Sequence, residues 1–394
     1  MPGALEGVKI IDMSAVIAGP MATQILADQG AQVIKIENPG MGDMARYLGP
    51  QSNGVGAMFA AVNRNKRSLA LNFKDAQGKA VLLDLVKGAD VLVENYRPGA
   101  MERMGLTYDA LKPLNPGLIY VAMSGFGQTG PYAKRRVYDP VVQAVSGVAD
   151  SQSDPKTGEP RLIQSIVCDK VAALTLAQAI TAALYAKAKG AGGQFIEFNL
   201  LSAALAFQWP DTMYNHMFLE GGVTHMPEFS TFYEIMKTLD GFVTVIVISD
   251  DEFGDFARAA GKPELAKDSR FANVFLRLQN AEALKGEMKA LMARFPTAEI
   301  VKRLEAEDVP HARVLKREEI PDDPQVKHLG IILETRHPKA GRMREAKPAA
   351  NFSATPSTLR RPAPMLGEHT DEILRELGRS DADIVALRSA GAVA

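Results

Sequence analysis

Asp169 lies at the start of a long, almost uncharged, alanine-rich segment, and its position suits covalent chemistry. Residues 169–188 are predicted to form a largely buried helix, which the glycines at 190, 192 and 193 end before a strand. The free N–H groups and positive pole of a helix N-terminus favour an ionised carboxylate there, and an ionised carboxylate can act as a nucleophile. Aspartate is also a favoured helix cap, so position alone leaves a structural role open.

Other reactive patterns in the chain are weaker. Cys168, next to Asp169, stands in an apolar run with no histidine nearby in sequence, which favours a buried thiol. The six histidines lack the spacing of metal ligands, so no metal site is predicted. Residues 7–37 have the layout of a dinucleotide-binding unit, but the turn holds only Gly19 and Pro20 and lacks G-x-G-x-x-G. A nicotinamide site is therefore not expected.

Short apolar strands alternate with helices in the N-terminal part of the chain. Strands are predicted at 8–12, 32–37, 90–94 and 118–124, with helices at 21–29 and 75–86 between them. This alternation predicts an α/β fold, a Rossmann-like large domain with a mainly parallel sheet and helices on both faces. Such sheets bind ligands at the carboxyl ends of their strands. Basic residues that a phosphate-bearing ligand could use lie in or beside these loops: Arg46, Lys66, Arg67, Lys74, Arg97, Arg103, Lys134, Arg135 and Arg136.

The length of 394 residues allows more than one domain. Residues 1–200 are assigned to the large domain, 201–224 to a linker helix, 225–325 to a small α+β domain, and 326–394 to a return segment with C-terminal helices that completes the large domain. The small domain is expected to contain two strands around a turn at Asp240 and Gly241, in a pattern that starts at Thr231. A helix at 202–219 is expected to carry the only tryptophan, Trp209.

Composition limits the classes of function. The 45 basic and 46 acidic residues give a formal charge of −1, which argues against a nucleic-acid partner or a polybasic membrane patch. One cysteine cannot form an internal disulfide, and the N-terminus lacks a signal pattern, so a cytoplasmic location is expected. Thr175, Gln178 and Thr181 interrupt the apolar segment after Asp169, which favours a core helix over a membrane span.

Several long segments, in order, resemble the family III CoA-transferases. They are LEGVKIIDMSAVIAGPMATQILADQGAQVIKIENPGMGD (5–43), NRNKRSLALNFKDAQGK (63–79), DVLVENYRPGAMERMGL (90–106), NPGLIYVAMSGFGQTGPY (115–132), the Asp169 helix with GGQFIEFNLL, and RRPAPMLGEHTDEIL (360–374). This family includes formyl-CoA and carnitine CoA-transferases and, as a divergent branch, the α-methylacyl-CoA racemases. The resemblance implies an interlocked, ring-shaped homodimer of subunits with a large and a small domain.

The resemblance also implies the chemistry. Asp169 matches the nucleophilic aspartate of the family, which forms an acyl anhydride and then an aspartyl-CoA thioester. Coenzyme A is a substrate and product, with acyl-CoA and carboxylic acids as reaction partners, and no tightly bound cofactor or metal is expected. The positions that match the family's CoA-binding residues are Ile17, Ala18, Leu71, Asn72, Phe73, Lys74, Asn95, Tyr96, Arg97, Arg103, Arg136, Val137 and Tyr138. Leu71 and Tyr96 are expected to flank the adenine ring.

Departures from the family pattern bear on the substrate. Formyl-CoA transferases have Gln where this chain has Ile17 and Arg where it has Asn38, which argues against a formyl/oxalate pair. The racemases use a histidine at the position of Tyr138, and a tyrosine with an ordinary pKa of ~10 is a poor proton carrier near neutrality. A CoA-transferase is therefore preferred, with an α-methylacyl-CoA racemase as the alternative and a non-catalytic acyl-CoA-binding protein as the third hypothesis.

Overall fold

The computed structural model describes residues 1–154, 156–226 and 233–394, which divide into two compact units. The first unit comprises Met1–Gln208 and Gly330–Ala394, and the second comprises Trp209–Leu329. The segment 201–224, assigned from sequence to a linker helix, is thus shared between the two units.

A central sheet organises the first unit. The strands of the first half of the chain are β1 (Lys9–Asp12), β2 (Gln32–Glu37), β3 (Gln51–Ser52), β4 (Val55–Gly56), β5 (Lys66–Ala70), β6 (Val91–Glu94), β7 (Ile119–Ser124) and β8 (Phe195–Asn199). The main sheet has the order β5-β2-β1-β6-β7-β8, and every neighbouring pair is parallel. The predicted mainly parallel α/β sheet is confirmed. Strands β3 and β4 form a separate antiparallel pair.

Helices cover both faces of this sheet. They are α1 (Ala18–Asp28), α2 (Ala57–Asn63), α3 (Ala76–Lys87), α4 (Ala100–Arg103), α5 (Tyr108–Leu111), α6 (Asp139–Ser146), α7 (Val167–Ala186) and α8 (Leu200–Gln208). One core contains Ile10, Val93 and Val121 from the strands together with apolar residues of α1, α6, α7 and α8. The opposite core joins Ile11 and Leu92 to α3 and to the C-terminal helices. The sheet is therefore buried on both sides, as the continuous apolar runs of its strands require.

The second unit is a smaller α+β body. It contains β9 (Ile235–Lys237), β10 (Phe242–Val245), α9 (Asp250–Ala259), α10 (Val274–Gln279), α11 (Ala281–Met292), α12 (Thr297–Ala306), β11 (His311–Arg313) and α13 (Pro324–Leu329). Its antiparallel sheet has the order β11-β10-β9. The turn between β9 and β10 contains Asp240 and Gly241 as predicted, whereas Thr231, where that pattern starts, lies outside the described residues.

The chain then returns to the first unit through β12 (Ile332–His337), β13 (Gly341–Ala346), α14 (Thr370–Glu376) and α15 (Asp381–Ser389). Ile373 and Leu374 of α14 and Ile384 of α15 pack into the core on the α3 face of the sheet.

The predicted helix at 202–219 is wrong in its extent. Helix α8 ends at Gln208, and Trp209 lies beyond it. Pro210 follows Trp209, and a proline disfavours the helical conformation of the residue before it. The tryptophan therefore starts the second unit instead of lying within a helix.

Candidate active site

The loops predicted to bind a ligand gather at the carboxyl edge of the parallel sheet. Strand β1 pairs with β2 on one side and with β6 on the other, so the direction of strand addition reverses between β1 and β6. Asn95, after β6, accepts the Ala15 backbone N–H at 2.9 Å and donates its side-chain amide to the Ala15 carbonyl at 2.8 Å. These two bonds fix the loops on either side of the reversal, where open α/β sheets form their ligand crevice.

A cavity of about 220 Å³ opens beside this reversal. It is lined by residues of the loops after β1, β2, β5 and β6, among them the predicted Leu71, Asn72, Phe73, Lys74 and Tyr96. Phe73 and Tyr96 pack edge to face, with ring centroids 5.9 Å apart. Leu71 has no exposed surface, so its side chain belongs to the core and is not free to flank an adenine ring as predicted. Of the two aromatic rings at this wall, Tyr96 is more accessible than Phe73.

A second cavity, of about 260 Å³, shares Tyr96 with the first. The predicted residues Asn95, Arg97, Arg136, Val137 and Tyr138 line it together with Tyr96. Gly125 permits the close packing of this wall, because a Cβ atom at that position would lie 2.2 Å from the Val137 Cγ1 atom. The loops after β6 and β7 thus form one continuous surface.

Ile17 and Ala18 lie at the start of α1 and are only 4% and 5% exposed. Because the whole residues are this deeply buried, neither offers much surface to a ligand at this edge. Ile17 therefore does not offer the solvent-facing apolar side chain that a substrate pocket would use.

Two of the basic residues proposed from sequence as phosphate partners serve the interior instead. Lys66 has no exposed surface and forms an ion pair with Asp12 at 2.9 Å. Arg46 pairs with Glu37 at 2.7 Å and also lies over the Phe59 ring. Both carboxylates neutralise charges that would otherwise be costly to bury. Lys66 and Arg46 are thus unavailable for a ligand.

Four other predicted cations are exposed and carry no ion pair within the described ranges. They are Lys74, Arg97, Arg103 and Arg136. Arg97 and Arg136 line the second cavity and Lys74 lines the first, whereas Arg103 lies on α4, one turn beyond Gly99. Cations without an internal partner are the ones that can pair with an incoming phosphate.

Asp169 lies in the first turn of α7, which begins two residues before it at Val167. The side chain is partly buried, and its backbone N–H donates to the Asp139 Oδ2 atom at 3.0 Å. Burial, followed by the negative charge of Asp139, raises the pKa of Asp169 to about 6. The expectation that the helix N-terminus governs the ionisation of Asp169 is corrected, because the pKa of this carboxyl is above its usual value. At pH 7 the Asp169 side chain is still ionised in most molecules.

The thiol of Cys168 is a core group. It is 1% exposed, and burial, Asp139 and Asp169 raise its pKa to about 12, so it stays protonated at neutral pH. A protonated, buried thiol is a poor nucleophile. No group of three or more metal-ligating side chains occurs in the part of the chain that the structure describes.

Comparison with known proteins places this arrangement in a family. The sequence profile of CoA-transferase family III matches residues 5–370. The chain is a family III CoA-transferase. The human succinyl-CoA:glutarate CoA-transferase is 36% identical over 407 residues, covering 99% of this chain and 90% of that protein. The formyl-CoA:oxalate CoA-transferase of Shigella sonnei is 31% identical over 419 residues and covers 100% of both chains.

Solved structures agree with this assignment. A CAIB/BAIF family protein from Brucella suis has a TM-score of 0.84 and 30% identity, covering 96% of this chain and 100% of that one. A family III CoA-transferase is an enzyme with CoA thioesters as substrates. The loops at the carboxyl edge of the sheet are therefore candidate contacts for coenzyme A.

Sequence reasoning missed two buried acidic residues next to these candidate contacts. Asp139 follows Tyr138 directly and is 2% exposed. Glu94 ends β6, is 4% exposed, and accepts the Tyr96 backbone N–H at 2.7 Å. Burial raises the pKa of Glu94 to about 7. The sequence offers one weak signal for each residue: Glu94 ends an apolar strand, and Asp139 follows the predicted contact Tyr138.

Proposed function

We propose that this enzyme transfers coenzyme A between carboxylic acids and that Asp169 is its nucleophile. The observation that carries the proposal is the Asp169 carboxylate itself. It is partly buried, it has no cationic partner among residues 1–154, 156–226 and 233–394, and its pKa is raised to about 6 by burial and by Asp139. A carboxylate that is ionised at pH 7, yet more basic than usual, suits attack on a thioester.

The reaction follows from that carboxylate. An Asp169 oxygen attacks the thioester carbonyl carbon, the C–S bond breaks, and CoA leaves as a thiolate from a mixed anhydride. The thiolate attacks the aspartyl carbonyl carbon, the acyl group leaves as a carboxylate, and an aspartyl-CoA thioester remains. An acceptor carboxylate then attacks this thioester and displaces the thiolate, which attacks the acceptor acyl carbon and restores the Asp169 carboxylate. The thioester energy is conserved at each step.

Coenzyme A binds in this proposal along the carboxyl edge of the sheet. Lys74, Arg97, Arg103 and Arg136 hold its phosphates, because these cations form no ion pair with any residue that the structure describes. Tyr96, which borders both cavities, packs against the adenine ring or the pantetheine chain. Asp139 joins this surface to the nucleophile, since it follows Tyr138 and binds the Asp169 amide.

The substrates to test first are dicarboxylic acids. Succinyl-CoA and glutarate are the substrates named for the human relative, whereas Ile17 and Asn38 depart from the pattern of formyl-CoA transferases. A succinyl-CoA donor with a glutarate acceptor is therefore our first pair, and formyl-CoA with oxalate is the comparison.

We also propose a homodimer, supported by an apolar surface on the α6–α8 layer. Val141, Val145, Leu174, Tyr185 and Phe207 are between 41% and 66% exposed there. By length and composition alone, the helical stretch Val167–Ala191 is long and apolar enough to span a membrane, and 39% of its apolar part is buried. A second copy covering this surface explains the exposed residues without a membrane.

A cytoplasmic location and the absence of a nucleic-acid partner complete the proposal, consistent with the net charge of −1.

Intact-protein mass spectrometry tests the nucleophile. We expect succinyl-CoA to give the wild type a succinyl or CoA adduct that maps to Asp169 and disappears with hydroxylamine. Asp169→Ala should give none, whereas Asp150→Asn, which changes an exposed aspartate, should react as the wild type does. Adduct formation by Asp169→Ala would refute the proposal.

Solvent deuterium entering Cα of a 2-methylacyl-CoA, with no acid acceptor present, would instead indicate a racemase. CoA binding without either reaction would indicate a binding protein.

A further inference from the structure

Asp139 carries a buried carboxylate whose hydrogen-bond donors are neutral groups. It is 2% exposed at the first position of α6, and no lysine, arginine or histidine forms an ion pair with it in the ranges that the structure describes. Its Oδ2 atom accepts the Asp169 backbone N–H at 3.0 Å, and its Oδ1 atom accepts the Gln143 side-chain amide at 2.5 Å. Both oxygens are therefore satisfied by neutral donors.

Neutral donors stabilise this charge without cancelling it. A salt bridge would weaken the field of Asp139 on its neighbours, whereas two N–H groups leave a net negative charge in a poorly solvated place. Gln143 is itself held in position: its side-chain oxygen accepts the Ile163 backbone N–H at 2.9 Å, and its amide donates to the Ser165 carbonyl at 3.1 Å. The start of α6 is thus fixed to the segment that leads into α7.

Few other charges face Asp169. Within α7, Cys168 is protonated and the exposed Lys170 donates to the Ser165 hydroxyl at 2.6 Å. The α1 sequence carries a charge only at Asp28, at its far end, and α8 carries none. On the loop before α6, Arg135 and Arg136 are exposed, as is Tyr138. Asp139 is the only group whose charge shifts the pKa of Asp169 in the described chain, in the same direction as burial.

We propose that Asp139 is a positioning residue for Asp169: it holds the first turn of α7 through the Asp169 amide, and its uncompensated charge keeps the Asp169 carboxylate reactive. This inference rests on the proposed function, because it explains the Asp139–Asp169 pair by the role of Asp169 as a nucleophile. Repulsion between the two carboxylates is present in the free enzyme and absent once Asp169 is an anhydride or a thioester, because acylation removes one charge. The pair therefore favours the covalent intermediates over the free carboxylate.

The test measures Asp169 directly, without turnover. Protein labelled with [γ-¹³C]aspartate is titrated by NMR, and the Asp169 signal is assigned by its loss in Asp169→Asn. The wild type should titrate near pH 6. Asp139→Asn should lower this midpoint by roughly one pH unit, the scale on which a nearby like charge acts. The acid limb of kcat/KM against pH should move by the same amount.

Gln143→Met is the matched control. Asp139→Asn loses the hydrogen bond from Gln143, because the new amide nitrogen cannot accept an N–H. Gln143→Met removes the same hydrogen bond but leaves the charge of Asp139 in place. Its thermal unfolding temperature should fall, and its Asp169 midpoint should stay near that of the wild type. If Asp139→Asn does not fold, Asp139→Ser removes the charge and retains a hydroxyl that can accept an N–H at the helix start.

An unchanged midpoint in both uncharged Asp139 variants would overturn the inference, as would an equal shift in Gln143→Met. Failure of the proposed function is distinguishable. Asp169 of the wild type could titrate near pH 6, with a lower midpoint in Asp139→Asn, while the enzyme exchanges no CoA. That result would retain the Asp139 assignment and refute the transferase chemistry.

Discussion

Asp43 accepts the backbone N–H of Val16 with both carboxylate oxygens, at 3.0 and 3.2 Å, while the same carboxylate pairs with buried Lys35 at 2.9 Å. Val16 has a φ of 72°, which is unfavourable for a β-branched residue. Strain of this kind costs on the order of 1–3 kcal/mol and persists only where neighbouring contacts impose it. Asp43 supplies such a contact at the loop between β1 and α1, next to the first cavity.

Asp43→Asn should therefore loosen the loop and weaken CoA binding. The variant keeps one oxygen for Val16 but removes the ion-pair partner of Lys35, whose buried ammonium is then offset only by the nearby Asp12 and Glu37 carboxylates. We expect CoA affinity to fall about tenfold and the free energy of unfolding to fall by up to about 3 kcal/mol, the lower end for a broken buried pair, because Asp12 and Glu37 remain near Lys35. Calorimetric titration and denaturant unfolding measure the two effects. Asp154→Asn, which breaks a surface pair with Arg161, is the control that should bind CoA normally. Unchanged CoA affinity in folded Asp43→Asn would contradict this role.

The burial of Asp169 predicts a conflict between stability and activity. Its pKa is raised to about 6 in the folded protein, so the folded state binds the proton more tightly than the unfolded chain does. The ionised side chain thus lowers stability above pH 6, and this cost disappears as the pH falls towards 4. Asp169→Asn should raise the free energy of unfolding at pH 7 by roughly 1–2 kcal/mol, a figure reduced for partial exposure.

Urea unfolding of both proteins at pH 7 and at pH 4 measures this difference. The gain should be largest at pH 7 and small at pH 4, where wild-type Asp169 is protonated in the folded state and about half protonated in the unfolded chain. Asp150→Asn, at an exposed site, should show no gain at either pH. A variant less stable than the wild type at pH 7 would show that the Asp169 charge is compensated in the folded state.

The sheet could be predicted because its strands are continuous apolar runs. Residues 32–37 read as a strand, and β2 spans Gln32–Glu37, because Val33, Ile34 and Ile36 suit a strand buried between helices. The loops that follow such strands gather at one edge by topology alone, which is why Asn95 and Ala15 meet. Local pattern and chain connectivity together determine this part of the site.

The charge pairing could not be predicted, because it depends on contacts distant in sequence. The sequence makes Lys66 a candidate phosphate partner, yet its actual partner, Asp12, lies 54 residues away. Asp139 and Asp169 are 30 residues apart, and the effect of one on the other depends on burial that no local pattern reveals. For the same reason the sequence assigned the helix N-terminus the main influence on Asp169, whereas burial and a second carboxylate dominate.

Phosphate binding should depend on the unpaired cations and not on the paired ones. Arg136→Gln should weaken CoA binding about tenfold, because a charge-assisted hydrogen bond contributes about 1.5–3 kcal/mol. Arg67→Gln is the matched control: Arg67 already pairs with Glu372 and Glu376, at 2.8 and 2.6 Å. Its CoA affinity should equal that of the wild type. Titrations with CoA and with dephospho-CoA, for each variant, identify which cation binds the 3′-phosphate. Equal losses in both variants would mean that net charge alone governs binding.

A charged residue on the exposed face of α7 should disrupt the proposed dimer. Leu174 is 58% exposed on this face, and Leu174→Arg would place a cation in an apolar interface, where burial without a partner is costly. Val385→Arg is the control, since Val385 is 61% exposed on α15, away from the α6–α8 layer. Sedimentation velocity should show a dimer for the wild type and for Val385→Arg, and a monomer or aggregate for Leu174→Arg. A wild-type monomer would refute the dimer, and wild type recovered with the membrane fraction and released by detergent would show that lipid covers α7 instead.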